Sequence, residues 1–197
     1  MTIFNVVLFD DFETLDVFGP VEVIGCLPES YGLKYHSMKG GIVISRHQTL
    51  IETLPFAEID PAGVLLIPGG MGTRSLADND DFISQLRVLA QNAPHVLTVC
   101  TGSGLLAKTG LLDGLSATSN KRAFAWASSN SEKVDWIKKA RWVKDGKYYT
   151  SSGVSAGIDM TLGFLSDLHD RETAEGIANR IEYIWNCDMD NDPFAVE

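Results

Sequence analysis

Val96-Leu97-Thr98-Val99-Cys100-Thr101-Gly102-Ser103-Gly104 passes from a run of buried-strand residues directly into a helix opening. A thiol at the tip of a strand, with helix-starting amides just beyond it, is placed for nucleophilic chemistry. The partial positive charge of a helix N-terminus favours thiolate over thiol. Glycine two positions after Cys100 lets the chain turn sharply and approach a ligand closely. Inert packing is an equally good reading of this cysteine, because free Cys is among the most buried residue types.

The same strand-then-helix pattern repeats on both sides of this stretch. Residues 3–9 are almost wholly apolar and read as a buried parallel strand. Leu15, Phe18, Val21, Ile24 and Leu27 follow near helical spacing, and Pro20 suggests that the helix proper starts there. Residues 33–38, 42–45 and 50–53 read as short strands. Residues 64–67 form another buried strand, stopped by Pro68-Gly69-Gly70. A helix is expected over 80–92, a strand over 96–99, and a helix over 102–109 that ends at Gly110. Residues 116–119 read as a strand and 122–128 as helical. Residues 140–143 and 148–151 flank Asp145-Gly146, a good hairpin turn. Ser155 and Asp170 are positioned to cap two further helices, the second carrying Ala174, Ile177, Ile181, Ile184 and Trp185. Alternation of apolar strands with helices predicts an α/β sandwich around a mostly parallel central sheet flanked by helices. Such folds place ligands at the carboxyl ends of their strands.

A chain of 197 residues is long enough for one well-packed domain. Hydrophobic content of 45% and charged content of 21% are those of a soluble globular protein. A formal charge of −10 argues against a nucleic-acid partner, since phosphate contacts need clustered Lys and Arg. The basic stretch 133–144 reads as a solvated helix face followed by a strand, and the acidic tail 188–197 as surface-lying. Cys26, Cys100 and Cys187 are odd in number and widely spaced, so no disulfide framework is expected. No apolar run approaches the roughly 20 residues that span a bilayer. The N-terminus has no basic leader region and runs straight into a strand. A cytoplasmic setting without membrane contact is the expectation.

Three strand-to-helix turns carry chemistry. The first delivers Asp16, the second Pro68-Gly69-Gly70-Met71-Gly72, the third Cys100-Thr101; Ser151-Ser152-Gly153-Val154-Ser155 is a fourth such segment. Unobstructed amides in the glycine-rich turn could hold a developing negative charge, or the turn could simply end its strand. Asp16 either caps a helix or faces the turn cluster, with Glu22 as the competing acid. Buried without a cation it would stay protonated and donate to a thiolate. None of His36, His47, His95 and His169 adjoins Cys100. No metal-ligand spacing appears; Asp188-Met-Asp190-Asn-Asp192 lacks the glycine and glutamate of a calcium loop. Ala107 stands where a dinucleotide fingerprint needs its third glycine. Thr98 stands where a G-x-S-x-G elbow needs its first.

Taken in order, Leu15-Asp16-Val17-Phe18-Gly19-Pro20-Val21-Glu22-Val23, Ile67-Pro68-Gly69-Gly70, Val99-Cys100-Thr101-Gly102-Ser103, Ala107-Lys-Thr-Gly110-Leu-Leu-Asp-Gly114 and Gly153-Val-Ser-Ala-Gly157-Ile-Asp159 resemble the ThiJ/PfpI superfamily. The resemblance is closest to its isocyanide hydratase branch and to amidase-like domains of some transcription regulators. It implies a single ThiJ/PfpI-like (class I glutamine amidotransferase-like) domain over 1–197, flavodoxin-like in fold and homodimeric. It implies Cys100 as nucleophile and Asp16 as the facing acid, with Thr101 beside the sulfur. Gly70, Met71 and Thr101 would supply oxyanion amides, and the Val154 backbone would line the pocket. No cofactor and no metal is implied. The activity implied is hydration of a small organic isocyanide to an N-substituted formamide through a covalent thioimidate. The alternatives are glyoxalase- or deglycase-like work on reactive carbonyls, and a non-catalytic oxidation-sensing or ligand-binding dimer using the same cysteine. Thr101 replaces the histidine that follows the nucleophile in superfamily proteases, and Asn120 stands where many relatives have histidine.

Overall fold

In the computed structural model, which describes residues 1–195, strands and helices alternate along the chain. In order they are β1 (Thr2–Val7), α1 (Thr14–Gly25), β2 (Tyr31–Ser37), β3 (Lys39–Ile44), β4 (Leu50–Pro55), β5 (Val64–Ile67), α2 (Thr73–Ala77), α3 (Asp80–Asn92), β6 (Val96–Thr98), α4 (Gly102–Lys108), β7 (Ser116–Ala117), α5 (Phe124–Ser128), β8 (Asp135–Trp136), β9 (Trp142–Asp145), β10 (Tyr148–Ser151), α6 (Ala156–Leu168) and α7 (Arg171–Arg180). Eight strands form one sheet in the order β3-β4-β2-β1-β5-β6-β10-β9. The six inner strands pair in parallel; only β3 on β4 and β9 on β10 run antiparallel, at the two edges. Every residue of β5 and β6 is buried, as expected for parallel strands covered on both faces. Phe4 of β1 meets Phe164 of α6 edge to face at 5.9 Å, tying that helix to the sheet. The carboxyl ends of β1, β5, β6 and β10 therefore lie along one edge, the place where open α/β sheets bind ligands.

Several elements differ from the sequence reading. Helix α1 begins at Thr14 and takes Pro20 into its interior, where it is buried. Proline there withholds the N–H that would bond the Asp16 carbonyl, and packing against α6 outweighs that loss: Gly19 approaches Ile158 so closely that a Cβ would lie 2.7 Å from it. Val17 is buried and Phe18 partly so, which makes them core residues. The stretch 133–144 holds no helix; Asp135–Trp136 pairs with Ser116–Ala117 as a small second sheet. The hairpin keeps its position, but β9 extends to Asp145, and Gly146-Lys147 make the two-residue turn. Asp170 caps α7 by accepting from the Thr173 amide at 2.7 Å, whereas Ser155 makes no cap bond. Helix α7 stops at Arg180, leaving Ile184 93% exposed.

The acidic tail is not wholly solvated. Asp192 is buried and accepts from Arg141 Nη1 at 3.4 Å; its amide donates to the Lys139 carbonyl at 2.7 Å. Arg141, itself buried, also donates from Nε and Nη2 to Asp159 Oδ2 at 2.9 and 2.8 Å. Asp159 Oδ1 receives the Tyr183 hydroxyl and the Asn186 amide, both at 3.0 Å. One guanidinium thus joins β9, α6 and the chain end. Removing one member of a buried charged cluster strands the others without compensation. Arg141→Met should therefore lower unfolding free energy by about 3–5 kcal/mol, read by urea denaturation; a loss below about 1 kcal/mol, the scale of a surface ion pair, would contradict this network.

Candidate active site

Cys100 stands two residues beyond the end of β6, and its backbone is left-handed, with φ at +58°. That conformation costs a non-glycine residue on the order of 1–3 kcal/mol. Hydrogen bonds hold both sides of the residue. Its N–H donates to the Ser152 carbonyl at 3.1 Å, and its carbonyl accepts the hydroxyls of Ser103 at 3.0 Å and Ser119 at 2.8 Å. The turn thereby aims the side chain out of the sheet edge. The residue is 6% exposed, and it lines a pocket of about 320 Å³ with Gly70, Met71, Thr101, Asn120 and Val154.

Asp16, in the first turn of α1, is fully buried. Its Oδ2 accepts the Gly69 amide at 2.9 Å. Its Oδ1 has no well-formed partner, although the Cys100 thiol is near enough to act on the carboxyl. A proton on that carboxyl directed at the sulfur satisfies both groups. Gly69 is what allows the approach, because a Cβ there would lie 2.5 Å from the Thr101 nitrogen and 2.9 Å from Asp16 Oδ2. Glu22, the competing acid, is exposed and outside the pocket.

The donors around the sulfur are the Thr101 amide and hydroxyl and the Val154 amide. Val154 also has a left-handed backbone, φ +47°. The Gly70 amide, expected as an oxyanion donor, is engaged by Thr101 Oγ1 at 3.0 Å, and Met71 sits at the lip, half exposed. None of the four histidines lines the pocket, and no metal-holding cluster of His, Cys, Asp or Glu occurs among the described residues.

The electrostatics reverse one expectation. Burial pushes the Cys100 thiol well above its ordinary value, and the neighbouring Asp16 charge adds to this. The amides of Thr101 and Val154 oppose it without prevailing, so helix-end charge does not by itself make a thiolate. Burial likewise pushes Asp16 up to about 8; Gly69 pulls it down, and the Glu13 charge pushes it further up. Near neutrality both groups hold their protons, and the pair loses its first proton near pH 8. That proton leaves Asp16, and the carboxylate charge then holds the thiol proton more tightly.

Reading the chain did not find the basic lining. Arg46, Arg74 and Arg122 share the pocket with Cys100, as does Glu13. Arg74 lies on α2, a five-residue helix without an apolar period of its own. Its guanidinium stacks 4.0 Å above the Trp126 ring. Asn120, noted only as a departure from relatives, lines the pocket too, its side-chain amide against the Cα of Gly153.

Known proteins resemble this chain over most of its length. A model of the DJ-1/PfpI family matches residues 4–167. An isonitrile hydratase from Pseudomonas putida is 31% identical over 181 residues, covering 89% of this chain and 76% of that protein. A deglycase from Thermococcus kodakarensis is 26% identical over 145 residues, 72% of this chain and 84% of its own. Among solved structures, a ThiJ/PfpI family protein from Pseudomonas syringae superposes with a TM-score of 0.80 at 27% identity, covering 98% of this chain and 77% of that one.

The raised acid carries a stability cost with a defined sign. Below its unfolded value of 3.8, Asp16 is protonated in both states and costs nothing. Between 3.8 and about 8 only the folded chain keeps the proton, so this group lowers stability by about 1.4 kcal/mol per pH unit as pH rises. Asp16→Asn should remove that slope. Urea unfolding at about pH 5 and about pH 8 should show the variant gaining on the wild type by a few kcal/mol. Parallel pH dependence of the two proteins would refute a protonated, buried Asp16.

Proposed function

The chain belongs to the DJ-1/PfpI family, and from that premise we propose that it is a cysteine-nucleophile hydratase. It adds water to a small organic isonitrile and releases an N-substituted formamide. The observation that carries this reading is the fully buried Asp16 carboxyl set against the Cys100 thiol, which lines the pocket. The likeness to isonitrile hydratase over most of the chain supports it.

The reactive form of the pair is thiolate with neutral acid, reached from the carboxylate–thiol pair by transfer of the thiol proton to Asp16. Sulfur forms a bond to the terminal carbon of the isonitrile, and the Asp16 proton moves to that carbon, giving a thioimidate. Asp16, now a carboxylate, takes a proton from water as the hydroxide adds to the imidate carbon. The C=N electron pair moves to nitrogen, which collects that proton from Asp16. Collapse breaks the C–S bond, its electron pair returns to sulfur, and the hydroxyl proton goes back to Asp16. One water has been added, and the pair is as it began. The Thr101 amide and hydroxyl and the Val154 amide hold the sulfur in its anionic stages.

The deglycase relative favours a second reading, in which the same thiol and acid act on a reactive carbonyl. The sensing alternative is weakened, because it needs an accessible thiol of low pKa, whereas burial raises this one. Cys100→Ala should abolish formamide production from an isonitrile, with turnover at least about 10³-fold lower and an unchanged far-UV spectrum. Formamide appearing at the wild-type rate would end the covalent mechanism, and lactate from methylglyoxal without any formamide would favour the second reading. In the wild type, alkylation of Cys100 by iodoacetamide should speed up as pH rises through about 8, and Asp16→Asn should move that inflection.

A further inference from the structure

Three of the seven arginines in a chain of net charge −10 line the one pocket that holds Cys100. Among the described residues, none of Arg46, Arg74 and Arg122 is paired with a carboxylate; the buried Arg141 nearby is neutralised by Asp159 and Asp192. One acid, Glu13, shares the pocket, but it lies 3.5 Å from His47 Nδ1. The lining is therefore locally cationic in an anionic protein. Arg74 is the ordered member. Its Nη1 donates to Thr73 Oγ1 at 2.8 Å and to the Gly70 carbonyl at 3.3 Å, while the Trp126 ring fixes its plane from one face. Nε and Nη2 make no hydrogen bond among the described residues. A planar fork held in place with donors to spare is what bidentate recognition of a carboxylate requires.

We propose that the substrate of this pocket is an anion: a small molecule whose reacting carbon meets Cys100 while its carboxylate is held by Arg74, with Arg46 and Arg122 completing the positive rim. In the terms of the preceding subsection, on which this rests, the substrate is an isocyano acid. A neutral isonitrile would leave the partly buried Arg74 fork without a partner, with no gain to offset its desolvation. A carboxylate also orients the molecule, since only one end is drawn to the fork.

Two measurements separate this proposal from the hydratase reading. The first needs no turnover. Cys100 is alkylated in parallel with iodoacetate and with iodoacetamide, reagents of nearly equal size that differ in charge; each forms the S–C bond and releases iodide. The rate ratio is divided by that of N-acetylcysteine at the same pH and ionic strength. An anion-seeking cleft should raise the normalised ratio about 10-fold or more, and added salt should lower it. Arg74→Met should collapse it. So should the exposed Arg122→Gln, in part, and that variant places no buried contact at risk. A normalised ratio near one overturns the proposal whatever the enzyme hydrates. The second measurement compares kcat/KM for isocyanoacetate and its methyl ester. Preference for the acid, lost in Arg74→Met, supports the proposal. Equal turnover of both overturns it and leaves the hydratase reading standing. An iodoacetate preference with neither compound hydrated keeps the anion site and removes the hydratase.

Discussion

The left-handed backbone at Cys100 is the constraint on which the site depends. A strand that continued with ordinary geometry would direct this side chain into one face of the sheet. Instead the Ser152 carbonyl and the Ser103 and Ser119 hydroxyls clamp both flanking peptide groups. Each such bond contributes about 0.5–1.5 kcal/mol net, enough together to offset the strain of one residue held at φ +58°. The clamp draws on β10, α4 and the segment after β7. The direction of the thiol is thus a property of the assembled sheet edge rather than of its own loop.

The second constraint follows from the first. Cys100 is almost wholly buried, so the acid that meets its sulfur is buried too, and burial keeps that acid protonated. Asp16 and Cys100 thereby hold a proton that can be passed between them, at a cost in stability at neutral pH. Gly69 permits the approach because Thr101 and Asp16 occupy the volume of its missing side chain. The rest of the molecule supplies the compensation. The aromatic contact of Phe4 with Phe164 and the ion pair of Arg141 with Asp159 both fasten α6, the helix that α1 packs against.

Much of the molecule was legible in the chain. Residues 64–67 and 80–92 take the structures their patterns predict, because a wholly apolar tetrad between turn signals and a capped, periodic 13-residue helix admit few alternatives. Asp16, Cys100, Thr101 and Val154 stood out because each lies near a strand-to-helix turn, and the fold brings those turns to one sheet edge. Other features were hidden for identifiable reasons. Pro20 suggested a helix start, yet close packing of Gly19 on α6 carries the helix through it. Asp192 looked like a tail residue, since no local pattern reveals a pairing with Arg141 across 51 positions. Arg46, Arg74 and Arg122 lie on separate segments, and nothing in their neighbourhoods marks them as partners.

The amino-acid sequence alone determined the α/β architecture, the order of its elements and the residues at its strand ends. Those follow from periodicity and turn chemistry, which act over a few residues. Tertiary structure alone decided which oxygen of Asp16 meets the Gly69 amide, that the thiol is raised rather than lowered, and that three arginines surround it. Desolvation and electrostatic fields depend on distance in space and on excluded water, and neither quantity is defined until the sheet has closed.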